Sequence, residues 1–286
     1  MNIDLDALRT FCAFVETGSF TRAAQQVCRT QSAVSMQMKK LEQELGNPLF
    51  IKQGRQLVLS TSGVHLASYA KQLLALHDEA YKQLKTGGGQ TRVRLACPDD
   101  YAGTVLPKVV ALLHQHLPRL DLQINCAPTD QLKAQLDQGL LDIVIATRSP
   151  SSEEGYFLQT SKGVWVKSPE FNYQPDMTLP MAIFQRDCKF HQAAVEGLLK
   201  AERQFNIIAC CGSVSALTAL VKANLAVGVM AEVSNISGLD IIADSTLPAL
   251  PMIDIVLLHA SHTHSPIKRE LVKLIAENYK MLTGAD

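Results

Sequence analysis

The amino-acid sequence points to two architectures in one chain: a small helix-rich domain closed by a two-stranded hairpin, then a larger α/β domain of two lobes. Three observations carry this reading. Apolar residues recur at helical spacing up to about residue 45 and again from about 60 to 85. The run Thr86, Gly87, Gly88, Gly89 then interrupts the pattern and marks a domain boundary. From Gln90 onward, short β-rich runs alternate with helical stretches.

In the first domain, Leu5, Leu8, Phe11, Cys12 and Val15 share one helical face over residues 5–17. Asp4 and Asp6 suit the positive helix N-terminus, and Gly18 ends the run. Ser19 is placed to cap a second helix running through Val27, with Phe20, Ala23, Ala24 and Val27 on its inner face. After the tight connection Cys28, Arg29, Thr30, the Thr30 side chain caps a third helix. There Val34, Met38, Leu41 and Leu45 repeat at core spacing, so Ser32, Ser35, Met36 and Lys39 point outward. Beyond Gly46, Asn47 and Pro48, the runs LFIK and RQLVLS meet at Gln53 and Gly54 and read as a hairpin carrying Lys52 and Arg55 near its tip.

Ser60 is placed to cap a long helix reaching about Lys85. Leu66, Tyr69, Leu73, Leu76 and Ala80 repeat along it at coiled-coil spacing. Val64, Ala67, Ala70, Leu74, Tyr81 and Leu84 form a second stripe. At ~1.5 Å per residue such a helix spans roughly 39 Å, more than a small domain covers. Two seams need two partners: the first helix of the same domain, and the same helix of a second subunit, with the Leu66–Ala80 stripe assigned to the dimer.

The second domain reads as TRVRLAC, a helix over roughly 103–116, LDLQINC, a helix over 130–138, and LLDIVIAT. That is βαβαβ, and it predicts a parallel sheet flanked by helices. A second unit follows with GVWVKS, LPMAIF, a helix over 189–202, FNIIAC, a helix over 213–223 and LAVGVM. MIDIVLLHA and a final helix from Ile267 to Leu282 return the chain to the first lobe, so two crossings enclose a cleft. The boundaries expected are 1–60, a linker at 61–89, and 90–286, with lobe I at about 90–155 and 252–286 and lobe II at about 156–251.

With 47% hydrophobic residues, both domains can bury cores of their own. Seven cysteines occur without a CxxC pair, and MNIDLDALRT lacks the pattern of a secretion signal, so a cytoplasmic location with reduced thiols is expected. No apolar stretch reaches the roughly 18–20 residues of a membrane helix, so no membrane partner is expected. The formal net charge is zero, but Arg22, Arg29, Lys39, Lys40, Lys52 and Arg55 face only Glu42 and Glu44 over residues 22–55. That local basic excess is the electrostatic footprint of a groove-reading module. GxSxG, HExxH, Walker and dinucleotide GxGxxG motifs are all missing, which speaks against an enzyme and implies no cofactor.

The stretch LDALRTFCAFVETGSFTRAAQQVCRTQSAVSMQMKKLEQELGNPLFIKQGRQLVLSTSG resembles the LysR-type transcriptional regulators. The spacing of TRAA, QSAVS, LE, LG, LF and the hairpin follows that family without a gap. CRTQSAVS resembles a branch associated with motility, virulence and cell-density control, and CPDDYAGTVLP, VWVKSP and LPALP fit it more loosely. The resemblance implies an N-terminal winged helix-turn-helix and a C-terminal domain with the type 2 fold of periplasmic binding proteins. It implies a homodimer or dimer of dimers that binds double-stranded DNA and a small effector, with RNA polymerase a further candidate partner.

Residue by residue, the resemblance implies that Gln31, Ser32 and Ser35 contact bases or phosphates, that Lys39 neutralises phosphate, and that Arg55 enters a flanking minor groove. Thr30, Met36, Lys40 and Lys52 complete the candidate DNA surface. The family often has proline where Ser32 stands and arginine or glutamine at Met36, so one common base contact is altered or missing here. For the effector, Pro98, Asp99, Asp100, Thr129, Thr147, Arg148 and Ser213 fall at strand ends or helix starts facing the cleft. Hydroxyls there suit an anion whereas Asp99 and Asp100 repel one, so the ligand's charge stays open. Helix capping would explain Asp99, Asp100, Thr129 and Ser213 equally well, and Arg148 either offsets the carboxylates or binds an acidic effector.

Two further groups have both a functional and an inert reading. Cys97 and Cys126 end adjacent strands and Cys210 and Cys211 are vicinal, which fits either a redox-sensing thiol or ordinary buried cysteines. His259, His262 and His264 share a short loop but lack nearby cysteine or acidic ligands, so no metal site is expected. The rival to the whole reading is a solute-binding protein or small-molecule enzyme whose N-terminal helices serve only assembly.

Overall fold

The computed structural model describes residues 3–54, 56–85, 91–186, 188–234, 236–260 and 265–284. The chain divides into two compact units, one built on residues 1–90 and the other on residues 91–137 and 141–286.

The first unit runs α1 (Leu5–Thr17), α2 (Phe20–Gln26), α3 (Gln31–Leu45), β1 (Phe50–Gln53), β2 (Gln56–Leu59) and α4 (Thr61–Lys85). Asp4 caps α1 by accepting from the Asp6 N–H at 2.9 Å, and Gly18 ends it in the left-handed region at φ 65°. The single apolar face expected for α1 understates its burial. Ala7, Leu8, Thr10, Phe11, Cys12, Ala13 and Phe14 are all buried while Val15 is only half-buried. The reason is its central position: α2, α3 and α4 all pack against it. Thr10 tolerates this because its hydroxyl donates to the Asp6 carbonyl at 2.9 Å. Phe14 packs on Phe20 and Phe50 with ring centroids 4.7 and 4.8 Å away, which ties the hairpin to the first two helices.

Ser19 does not cap α2 with its side chain as expected; instead its carbonyl accepts from the Thr17 hydroxyl at 3.2 Å. The Thr30 cap is present, accepting from the Ala33 N–H at 3.3 Å. Strands β1 and β2 are antiparallel, with Phe50 opposite Leu59 and Gln53 opposite Gln56. Ser60 donates to the Pro48 carbonyl at 2.5 Å and accepts from the Gly63 N–H at 3.0 Å, so one side chain closes the hairpin and starts α4. A Cβ at Gly63 would collide with the Leu49 carbonyl, which explains glycine inside this helix.

The long helix sorts its two stripes differently from the expectation. Leu66 and Ala70 are buried in the core of the first unit, with Ala67 and Leu74 packed against them. Leu66 therefore leaves the proposed dimer seam: helical spacing puts it close to both stripes, and packing against the core of the first unit decides the matter. Tyr69, Leu73, Leu76 and Ala80 stay exposed, as do Val64, Tyr81 and Leu84. Arg9 of α1 pairs with Asp78 of α4 at 2.7 Å and fixes the register of the two helices.

The second unit runs β3 (Thr91–Cys97), a 3-10 turn (Asp99–Tyr101), α5 (Val105–His116), β4 (Leu120–Cys126), α6 (Thr129–Asp137), β5 (Ile143–Arg148) and β6 (Tyr156–Lys167). It continues with β7 (Leu179–Phe184), α7 (Lys189–Lys200), β8 (Phe205–Cys211), α8 (Val214–Lys222), β9 (Val227–Ala231), β10 (Asp240–Ile241), β11 (Met252–His259) and α9 (Arg269–Thr283). The strands line up as β4-β3-β5-β11-β6-β9-β7-β8, with β10 added to β6. The sheet is mixed rather than wholly parallel. Pairs β3/β4, β3/β5, β7/β8 and β7/β9 are parallel, whereas β11 and β6 run antiparallel to their neighbours.

That antiparallel centre is what makes two lobes. Strand β6 pairs with β11 through its first half and with β9 from Gly163 onward, so a single strand crosses from one lobe to the other. Sequence reading found only its second half, GVWVKS, because Gln159, Thr160 and Ser161 break the apolar alternation in the first. Thr160 is accounted for: it donates to the buried Asp254 carboxylate at 2.9 Å. In lobe I, Asp142 is buried and receives the Arg94 backbone N–H at 2.8 Å and the guanidinium at 3.0 and 2.8 Å. This bidentate pair locks β3 to the start of β5.

Candidate nucleic-acid interface and effector cleft

One face of α3 is held by the core and the other is free of it. Val34, Met38 and Leu41 are at most 1% exposed, which fixes the helix's rotation. Gln31, Ser32, Lys39 and Lys40 are exposed, Ser35 is half-buried, and Met36 is 72% exposed. Thr30 is exposed as well, and its hydroxyl shares a hydrogen bond with that of Ser32 at 3.2 Å. Lys52 is exposed on β1; Arg55 lies outside the described residues.

The basic patch shrinks when its partners are counted. Arg29 pairs with Asp6 at 3.2 Å and Lys40 with Glu44 at 3.7 Å. Arg22, Lys39 and Lys52 have no ionic partner among the described residues. Sequence reasoning treated Glu42 only as an opposing charge. In the structure its carboxylate accepts from the Leu49 and Phe50 N–H groups at 2.7 and 3.2 Å, joining α3 to the hairpin. Its spacing of seven and eight residues from those amides carries no local sequence signal.

In the second unit a cavity of about 570 Å³ opens between the lobes. Pro98, Asp99, Asp100, Thr129, Thr147 and Ser213 all line it, so six of the seven candidate effector residues converge. Arg148 does not. Its guanidinium faces Asp254, the residue opposite it on β11, at 3.4 Å and donates to the Glu154 carbonyl at 2.7 Å. Side chains alternate along a strand, so the residue after Thr147 points to the opposite face of the sheet. Arg148 therefore neither offsets Asp99 and Asp100 nor reaches a ligand in this cavity.

Several lining groups are already engaged. Asp99 reaches from lobe I to α8 of lobe II and accepts from the Val214 N–H at 2.6 Å. It thus caps a helix of the other lobe and clasps the cleft. Ser213 caps the same helix, accepting from the Ala216 N–H at 3.2 Å. Thr129 accepts from the Thr147 N–H at 3.2 Å, and the Thr147 hydroxyl shares a 2.6 Å hydrogen bond with Tyr101, whose phenol burial drives well above its ordinary range. Lys189, at the start of α7, donates to the Ser149 hydroxyl at 2.8 Å and makes a second bridge between the lobes. Burial, with help from neighbouring Asp99, pushes the Asp100 carboxyl up to about 7.

Sequence reasoning missed Tyr101, Phe184, Gln185, Lys189 and Phe190, which come from a turn, a strand end, a loop and a helix start that only the closed sheet brings together. Cys97 and Cys126 are register partners on β3 and β4, and burial and the Cys126 thiol beside it raise Cys97 far above the ordinary thiol range. The Cys210 and Cys211 pair ends β8. His259 meets the Ile267 carbonyl at 2.7 Å, while His262 and His264 lie outside the described residues. Among the described residues no cluster of histidine, cysteine and acidic side chains is arranged to hold a metal ion. No described helix is long and apolar enough to cross a membrane.

An exposed polar helix face beside a hairpin, joined in sequence to a two-lobed domain with a cleft, is the arrangement of a DNA-binding regulator with a ligand-binding-type domain. Comparison with known families agrees. Residues 5–64 match the bacterial regulatory helix-turn-helix protein, lysR family, and residues 86–280 match the LysR substrate binding domain. The chain belongs to the LysR family, as a DNA-binding transcriptional regulator with an effector-binding domain. It is 34% identical over 229 residues to the HTH-type transcriptional regulator PecT of Dickeya dadantii, covering 80% of this chain and 72% of that one. It is 33% identical over 257 residues to DgdR of Burkholderia cepacia, covering 90% and 87%. Among solved structures, full-length CbnR complexed with its target DNA matches with a TM-score of 0.65 at 15% identity, covering 97% of this chain and all of that one, which is a likeness of fold.

Proposed function

We propose that the first turns of α3 enter the major groove of a DNA half-site, with the hairpin following the adjacent backbone. The exposure of Gln31, Ser32 and Met36 on a helix whose other face is fixed by Val34 and Met38 carries this reading. Gln31, Ser32 and Ser35 are short enough to reach base edges, and the unpartnered Met36 side chain offers apolar contact to a thymine methyl. Thr30 sits at the helix start, where backbone amides favour a phosphate. Lys39, Lys40, Lys52 and Arg55 supply phosphate contacts, with Arg55 directed to a flanking minor groove.

The division of labour proposed is DNA reading by residues 1–60, dimerisation through α4 and its Gly-rich hinge at 61–89, and effector sensing by 90–286. Tyr69, Leu73, Leu76 and Ala80 form the dimer seam, and two such dimers can assemble into a tetramer. Dimers would read two half-sites about one helical turn, ~34 Å, apart. A small effector in the cleft shifts lobe closure, with the Asp99 clasp as the contact it must work with or against. A DNA-binding role fits a cytoplasmic location and RNA polymerase as a partner. PecT and DgdR are both transcriptional regulators, in keeping with a role that is not enzymatic.

Binding of the full-length protein to the intergenic DNA beside its own gene, against scrambled competitor, tests the base-reading face. Gln31→Ala and Ser32→Ala should reduce discrimination by about 1–3 kcal/mol for each base edge no longer read, with little change in salt dependence. Unaltered discrimination in both variants would place the reading face elsewhere.

A further inference from the structure

Resting on the reading of the interlobe cavity as the effector site, we propose that this cavity takes an organic ammonium cation with an apolar body, in preference to a carboxylate. The charge of the lining is the first argument. Asp99, Asp100 and Asp130 line the cavity, and the single basic side chain among the described lining residues, Lys189, is already donating to Ser149. The second is that the strongest anion position is taken. The first free amide of α8, at Val214, is held by Asp99, so an incoming carboxylate would have to displace a resident one beside two more of like charge.

The third argument is Asp100 itself. Its side chain is half-buried, lines the cavity, and receives no hydrogen bond from any other residue among those described. A carboxylate partly withdrawn from water is stabilised by a cationic partner, and here its open side belongs to the cavity. Burial holds this carboxyl at about 7, so near neutrality it is poised to ionise when a cation arrives. Phe184, Phe190, Ile253 and the wall at Pro98 and Pro128 provide apolar surface for the rest of the ligand. The volume, about 570 Å³, falls in the range of small-molecule sites.

Phenethylamine and 3-phenylpropionate are near-isosteric probes that differ in the sign of their charge. In thermal melts and calorimetric titrations of the full-length protein at neutral pH, phenethylamine is expected to bind and raise Tm with concentration, and 3-phenylpropionate to do neither. Asp100→Asn should weaken the amine roughly tenfold or more, and Asp100→Glu should retain most of it. The comparison of the two probes on the wild-type protein stands even if a variant fails to fold. Binding of the carboxylate in place of the amine, equal binding of both, or binding of neither would overturn the proposal. Because DNA binding by the probe-free protein is measured separately, such a result leaves the DNA-reading face untouched.

Discussion

Asp100 shows how a single side chain couples the cleft to stability. Its carboxyl moves from an ordinary value of 3.8 up to about 7, burial being the main cause and Asp99 the lesser one. A carboxyl raised in the folded state costs nothing below pH ~4, where it is protonated in both states. As pH rises towards 7 the unfolded chain ionises first, so the folded state loses relative stability, and above 7 the loss is complete. Replacing it with asparagine should therefore stabilise the free protein at pH 8 by about 1–2 kcal/mol, allowing for partial solvent access, and hardly at all at pH 4. Paired chemical denaturation curves at the two pH values read this directly; a pH-independent difference would mean the carboxyl titrates normally. Asp99, Asp130 and Lys189 line the same cavity, and Cys97 and Tyr101 are the groups whose titration feels Asp100. The placement of Asp99 and Asp100 at a helix start was legible in sequence. That Asp99 would reach Val214 was not, because 115 residues separate them.

Helix α4 illustrates how far periodicity carries and where it stops. Two apolar stripes were legible from spacing alone, and the need for two partners followed from their number. Which residue faces which partner was not, since Leu66 fits either a four-residue or a three-residue step. Packing decided it: Leu66 joins Ala70 beneath α1, leaving Tyr69, Leu73 and Leu76 exposed at 64%, 44% and 44%. An exposed apolar strip of this length is expected to be covered by another copy of the chain. If the proposed dimer forms through this seam, Leu73→Glu combined with Leu76→Glu should convert it to monomer in light scattering with the fold intact by circular dichroism. Persistence of the dimer would move the seam to another element. The hidden half of β6 has a different lesson, because polar residues at its crossing point are satisfied by Asp254 and by backbone, partners that composition cannot announce.

Across the chain, the three short helices, the hairpin, the long helix and every strand except β10 and the first half of β6 could be read from spacing, caps and turn residues. The sheet's mixed direction could not, because an apolar run looks the same in either orientation. The outward-facing residues of α3 were legible because their neighbours are so plainly core. The cleft was legible only as a set of element ends, and Arg148 shows the error this invites: one step along a strand exchanges cavity for the opposite face. Whether α3 and the hairpin meet DNA is tested most directly by the slope of log affinity against log salt for the full-length protein on its intergenic site. Removing Lys39 and Arg55 together should flatten that slope by roughly 0.9 for each phosphate no longer neutralised, and lower affinity without changing the melting temperature. An unchanged slope in a folded variant would contradict the assignment of α3 and the hairpin as the DNA-binding surface.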